Sequence, residues 1–291
     1  TNGASRLTRT SAVLNGYANP GGDATTGWFR YSTASPGTCN DTFGTRVPAS
    51  RGKALCSVTS NVTLTQAITG LAPATTYYFC AIVQNSGGQV VGSVQSFITP
   101  SAPTAATASA TNLTTSSAQL NGSGNPNRAS ATGWFRYSIA NPGTCDDKFG
   151  SRSPLTGGTA LGNDIYDQTF AQSISGLSGG TTYYYCAIVQ SSEGTAFGTV
   201  MSFTTSGIAS ATTNAASAVT STTATLNGSG VPNGATASGW FRYSTTNPGT
   251  CNDSFGNRAP SSGGTNLGAG TTSSPFAQTI SGMSPGATCY Y

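Results

Sequence analysis

Histidine is missing from this chain of 291 residues, and charge is scarce: 12 lysines and arginines and 8 aspartates and glutamates make up 7% of the sequence. Glu193 is the sole glutamate. Without imidazole and with so few carboxylates, most hydrolytic, metal-dependent and acid–base mechanisms lose their usual side chains. No apolar run is long enough to cross a bilayer, and the start at Thr1 lacks the basic-then-apolar pattern of a secretory leader. A first residue other than Met is what a processed protein or a fragment would show. The arginines are scattered and form no basic run, which argues against nucleic acid as a partner. The pairs Asp146 and Asp147, and Asp164 and Asp167, lack the dense oxygen ligands of a calcium loop. No catalytic residue, cofactor or metal is expected.

What is present is repetition. Trp28, Trp134 and Trp240 are each 106 residues apart, inside the same string GWFRYS. The register holds at Leu14, Leu120 and Leu226, at Cys39, Cys145 and Cys251, and at Gly70, Gly176 and Gly282. A period of this length is domain-sized, so each repeat can own its core. The expected modules span 1–100, 104–205 and 208–291, the last incomplete. The links around Thr99 and Thr204 are short and contain Pro or Gly, as in a semi-extended rod.

The chain has seven cysteines, and five of them keep the same spacing. Cys39 to Cys80 and Cys145 to Cys186 are both 41 residues apart, which reads as one disulfide within each of these modules and an oxidising, extracellular or cell-surface location. A metal site is the competing reading, but no cysteine pair has close ligand spacing. Cys56, Cys251 and Cys289 are left over. By register the partner of Cys251 falls one position past Tyr291. The expectation is that the natural chain continues there; the alternative is a neighbouring subunit that supplies the missing strands. Cys56 and Cys289 could then form a crosslink between subunits, or Cys289 could pair locally with Cys251.

Short alternating runs bounded by turn residues fill the second module: ATASATNL, SSAQLNGSG, TGWFRYSIA, FAQSISGL, TTYYYCAIVQ and FGTVMSFTT. No stretch has a helical period. About seven strands per hundred residues favours an all-β sandwich. The order LNG, NPN, WFRYS, ISGL, TTYYYCAIV, FGTVMSFTT resembles the fibronectin type III modules of bacterial secreted and surface proteins, across essentially the whole chain. The resemblance implies tandem immunoglobulin-like sandwiches, with strands A, B and E in one sheet and C, C′, F and G in the other. It also implies a spacer, adhesive or assembly role.

The paired cysteines and the long connection CDDKFGSRSPLTGGTALGND depart from that pattern. Family pattern and strand alternation together point Phe135, Tyr137, Tyr183, Tyr185, Ala187 and Val189 inward, and Trp134, Arg136, Tyr184, Cys186 and Ile188 outward. The connection, tied by its disulfide, is expected to form a lid over Trp134 and Tyr184. The thrice-repeated string PGTC(N/D)DxFGxR places Asp41 near Arg46, Asp147 near Arg152 and Asp253 near Arg258. It reads more readily as an ion pair that shapes the lid than as a sugar site. Trp28, Trp134 and Trp240, with Arg30, Arg136 and Arg242, form the candidate interface or ligand surface. Sequons at Asn40, Asn61, Asn112, Asn121, Asn227 and Asn252 are of the kind that chance supplies in a Ser/Thr-rich chain.

These readings converge on a non-enzymatic extracellular structural protein, the stem or subunit of a surface filament or fibre that associates with itself. The alternatives are an adhesin or carbohydrate-binding array meeting a glycan or cell-surface partner, and the spacer of a larger secreted hydrolase.

Overall fold

The computed structural model describes all 291 residues, and its regular elements are β-strands alone, every pair antiparallel. The first repeat contains β1 (Asn2–Ser5), β2 (Ser11–Ala18), β3 (Thr25–Ser32), β4 (Thr45–Val47), β5 (Lys53–Leu55), β6 (Val62–Thr69), β7 (Thr76–Asn85), β8 (Gly88–Val91) and β9 (Gln95–Ile98). One sheet has the order β1-β2-β6. The other has β3 and β7 at its centre, with β4 and β5 both pairing β3, and β8 and β9 both pairing β7. This is the division into A, B, E and C′, C, F, G that the family resemblance implied.

The second repeat copies it with β10 (Ala106–Thr111), β11 (Ser117–Gly124), β12 (Ala131–Ser138), β13 (Ser151–Ser153), β14 (Thr159–Gly162), β15 (Gln168–Ser175), β16 (Thr182–Ser191), β17 (Gly194–Phe197) and β18 (Met201–Thr204). Alternation along these strands aims one set of side chains between the sheets. Leu120, Phe170 and Ile174 come from one sheet. Phe135, Tyr183, Tyr185, Ala187 and Val189 meet them from the other, with Tyr137 packed at the margin. Gly133 belongs to this fit: any Cβ there would press on the ring of Phe170, which instead lies 4.9 Å from that of Phe135. The hydroxyls of Tyr77 and Tyr183 accept the backbone N–H of Ala72 and Ser178, both at 2.9 Å, and pin the turn before β7 and β16. Such a tyrosine corner is a mark of immunoglobulin-like sandwiches.

The third repeat has β19 (Ser210–Ser217), β20 (Thr223–Val231), β21 (Ala237–Gly239), β22 (Phe241–Tyr243), β23 (Asn257–Ala259), β24 (Thr265–Gly268) and β25 (Ser274–Ser281). β19-β20-β25 form the first sheet, while β21 pairs β24 and β22 pairs β23. Tyr290 bridges Ser244 where β16 runs beside β12 in the second repeat. Its core is correspondingly small, six buried residues against 13 in the second repeat, with Cys289 and Tyr291 packed at its border.

The N-terminal segment of the first two repeats touches both sheets. β10 slips register between Ala108 and Thr111, and Asn121 fills the irregularity by donating to Ser109 O at 2.8 Å and Thr111 Oγ1 at 3.1 Å. Asn15 and Asn227 do the same at their own positions. On the other side, Thr107 Oγ1 accepts the N–H of Ala187 in β16 at 3.0 Å, as Thr1 Oγ1 accepts that of Ala81 at 2.9 Å.

The connection after strand C is more regular than expected. Rather than a plain lid it contributes the short strands β13 and β14, which extend the sheet beyond β12. Gly150 makes the approach to β13 workable. Its φ is 51°, and a Cβ would collide with the carbonyl oxygen of Tyr137, so a side chain is excluded on two counts.

Candidate functional site

The outer face of the larger sheet carries a second, smaller core. Trp134 and Arg136, two apart on β12, share that face, as do Cys186 and Ile188 on β16. The connection brings Cys145 and Phe149 onto them, and Trp134, Cys186 and Ile188 become buried beneath it. The disulfides Cys39–Cys80 and Cys145–Cys186 anchor the connection, each with Cα atoms 6.0 Å apart. In the first repeat the same set is Trp28, Cys80 and Ile82 under Cys39 and Phe43.

A polar brace closes over each indole. Asp146 Oδ1 accepts the backbone N–H of Lys148 and Phe149, at 2.7 and 3.0 Å, and this tight turn presents the next carboxylate. Asp147 Oδ1 then receives Trp134 Nε1–H and Arg136 Nε–H, both at 2.9 Å. Asn40 and Asn252 make the same turn for Asp41 and Asp253. Asp41 takes Trp28 at 2.8 Å and Arg30 at 2.9 Å, and Asp253 takes Trp240 at 2.9 Å and Arg242 at 3.0 Å. A second arginine sits over the ring, with its guanidinium carbon 4.4 Å from the ring centre of Trp28 for Arg46, 4.5 Å from Trp134 for Arg152 and 4.7 Å from Trp240 for Arg258. That arginine also donates back to the lid, Arg152 to Pro154 O at 2.6 Å and to the carbonyl of Gly157.

The expected ion pair therefore has a different partner. Asp41, Asp147 and Asp253 bridge to Arg30, Arg136 and Arg242 on strand C, while Arg46, Arg152 and Arg258 sit over the indoles. The i, i+2 spacing of WFR was the available signal, because it puts tryptophan and arginine side by side on one face.

The candidate surface splits into two kinds. Trp28 and Trp134 are 3% and 4% exposed, so their rings are spent inside the module. Trp240 is 38% exposed, since no strand lies beside β22 as β16 lies beside β12. Tyr184, expected beneath the lid, is only half-buried. Cys56 and Cys251 are exposed free thiols and Cys289 is a half-buried one, with no bond between Cys251 and Cys289.

Burial works to raise the carboxyl pKa of Asp41 and Asp147. The hydrogen bonds from tryptophan and arginine and the charges of two arginines outweigh it and hold both below the ordinary aspartate range. The hydrogen bonds from Trp240 and Arg242 lower Asp253. A depressed folded-state pKa contributes stability that is fully present above the unfolded value of about 3.9 and is lost as pH falls through the folded value. The thermal midpoint should therefore drop between neutral and strongly acid pH, and Asp147→Asn should flatten the second module's share of that drop. Calorimetry from pH 7 down to about pH 2 reads it. A variant that keeps the full acid dependence would remove the brace as its source.

No protein-family model matches the chain, and no curated protein matches it. Among solved structures it is similar to the FN1-FN3 domains of chicken CNTN1. The identity is 11%, the match covers 98% of this chain and 88% of that one, and the TM-score is 0.30. At that score the likeness adds nothing to the fold, which rests on the strand pairing above.

Proposed function

We propose that the chain is an extracellular, non-enzymatic structural protein whose modules, spanning 1–100, 104–205 and 208–291, form the self-associating stem or subunit of a surface filament or fibre. The observation that carries this reading is the brace itself. In the two modules with a complete larger sheet, the tryptophan that could have served as a ligand platform is buried and its N–H, its face and the surrounding carboxylate are all engaged internally. A side chain committed on every side stabilises a module rather than presenting it. The disulfides support an oxidising location, and sparse charge lets neighbouring rods approach closely.

Negative-stain microscopy of purified protein, with sedimentation as a companion, tests the reading. Ordered polymers without added ligand support it. Dispersed monomers that bind a glycan array, and lose binding on Trp240→Ala, replace it with the adhesin reading.

A further inference from the structure

The links between modules contain no free residue. Thr99 and Thr205, 106 residues apart, are both buried and close off the preceding module. Thr99 donates its hydroxyl to Ala72 O at 2.7 Å and accepts the N–H of Thr75 at 3.0 Å. Thr205 does the same with Ser178 O at 2.6 Å and the N–H of Thr181 at 3.0 Å. At the next residue the carbonyl of Pro100 accepts the N–H of Ala74 at 3.4 Å, and that of Ser206 accepts the N–H of Gly180 at 3.1 Å. One residue later the following module takes over. Ser101 donates its N–H to Asn127 O at 3.2 Å, and Gly207 to Asn233 O at 2.7 Å. The side-chain amides of the same asparagines donate to Ala102 O at 2.7 Å and Ile208 O at 2.6 Å.

Asn127 and Asn233 both adopt positive φ, 51° and 57°, a conformation that their short polar side chains tolerate. The turn behind each is braced alike: Arg128 donates its N–H to Asp164 O at 3.2 Å, and Gly234 to Gly270 O at 3.3 Å. At the centre of the link the chemistry differs but the outcome does not. Pro100 is buried, and its ring fixes φ. Ser206, also buried, is bonded to both modules, its N–H donating to Thr114 O at 3.0 Å and its hydroxyl to Gly234 O at 3.2 Å. Across the first junction the buried Glu193, in the turn after β16, accepts the backbone N–H of Arg9 at 2.8 Å.

We propose that the junction is a rigid coupling that recurs unchanged, so that the three modules form one stiff rod with a constant step. Domains joined by a tether turn against each other unless something holds them. Here the last shared bond to one module and the first to the next fall on consecutive residues, Pro100 and Ser101 or Ser206 and Gly207. A turn of either module against its neighbour must therefore break hydrogen bonds on one side of the link. A step that repeats generates a helix, so equivalent faces of successive modules wind about the rod at a fixed angle. The proposal rests on the module boundaries given above and not on filament formation.

Pulsed electron–electron resonance between equivalent, exposed strand positions tests it. With Cys56→Ser, Cys251→Ser and Cys289→Ser in place, labels at Thr65→Cys and Ala171→Cys span the first junction, and labels at Ala171→Cys and Ala277→Cys span the second. In dilute intact chain the two distance distributions should share one mean and one narrow width. Three glycines inserted between Pro100 and Ser101 part the two sets of bonds. They should broaden the first distribution about twofold or more and leave the second unchanged, which also reports that the modules still fold. A parent distribution as broad as that of the inserted chain, or two means that differ by more than the spread of the labels, would overturn the proposal. Every distance comes from single chains, so a stiff chain that never polymerises defeats the filament reading alone. A chain that polymerises through loose junctions defeats this proposal alone.

Discussion

Trp134→Ala is expected to destabilise the second module by about 3–5 kcal/mol, the range for removing a large aromatic from a packed interior. The ring is buried against Cys186 and Ile188, so its loss opens a cavity under the lid that the disulfide prevents from collapsing. The brace fails with it, because Asp147 loses its indole donor and Arg152 its platform. Trp240→Ala should cost far less, since that ring is 38% exposed and lacks the strand beneath it. Calorimetry of the two variants in parallel resolves the contrast. A Trp134→Ala protein whose transitions are unshifted would mean the lid holds without its central ring, and the outer core would then be packing of little consequence.

Second in size is removal of the Cys145–Cys186 disulfide. Closing a loop of 41 residues constrains the unfolded chain by about 4 kcal/mol on the chain-entropy model. The double variant Cys145→Ala, Cys186→Ala should lose about that much in denaturant titration followed by circular dichroism. It should also expose Trp134 to fluorescence quenchers before global unfolding, since the lid then depends on the Asp147 brace alone. A loss below about 1 kcal/mol would show that the crosslink does little to constrain the unfolded chain and that the lid stays closed without it.

Much of this arrangement is legible in strand alternation. The run TTYYYCAIVQ sorts into Tyr183, Tyr185, Ala187 and Val189 toward the core and Cys186 and Ile188 away from it, and the structure keeps that division. Alternation works here because both faces of β16 are covered, so a register slip would expose one core or the other. It fails in the connection after β12. The strands of three and four residues there are too short to show a period, and their pairing is dictated by β12 rather than by their own residues.

Partner choice was legible only in part. Nearness along the chain suggested Arg152 for Asp147, yet Arg136 shares the outer face of β12 with Trp134 and lies under the turn, so strand geometry outranks sequence distance. The junctions were the least visible feature. Nothing in the sequence marks Glu193 as the acceptor of the Arg9 N–H in the preceding repeat.

In the first two modules the N-terminal segment is bonded to two layers at once, as in the second, where it is held to β11 through Asn121 and to β16 through Thr107. Tension applied along the chain enters these modules through that segment. Were it attached to one sheet alone, a pull would peel it off bond by bond from its end. Attached to both, it shares the load between the layers, and the module yields only when contacts on opposite sides of its core give way together.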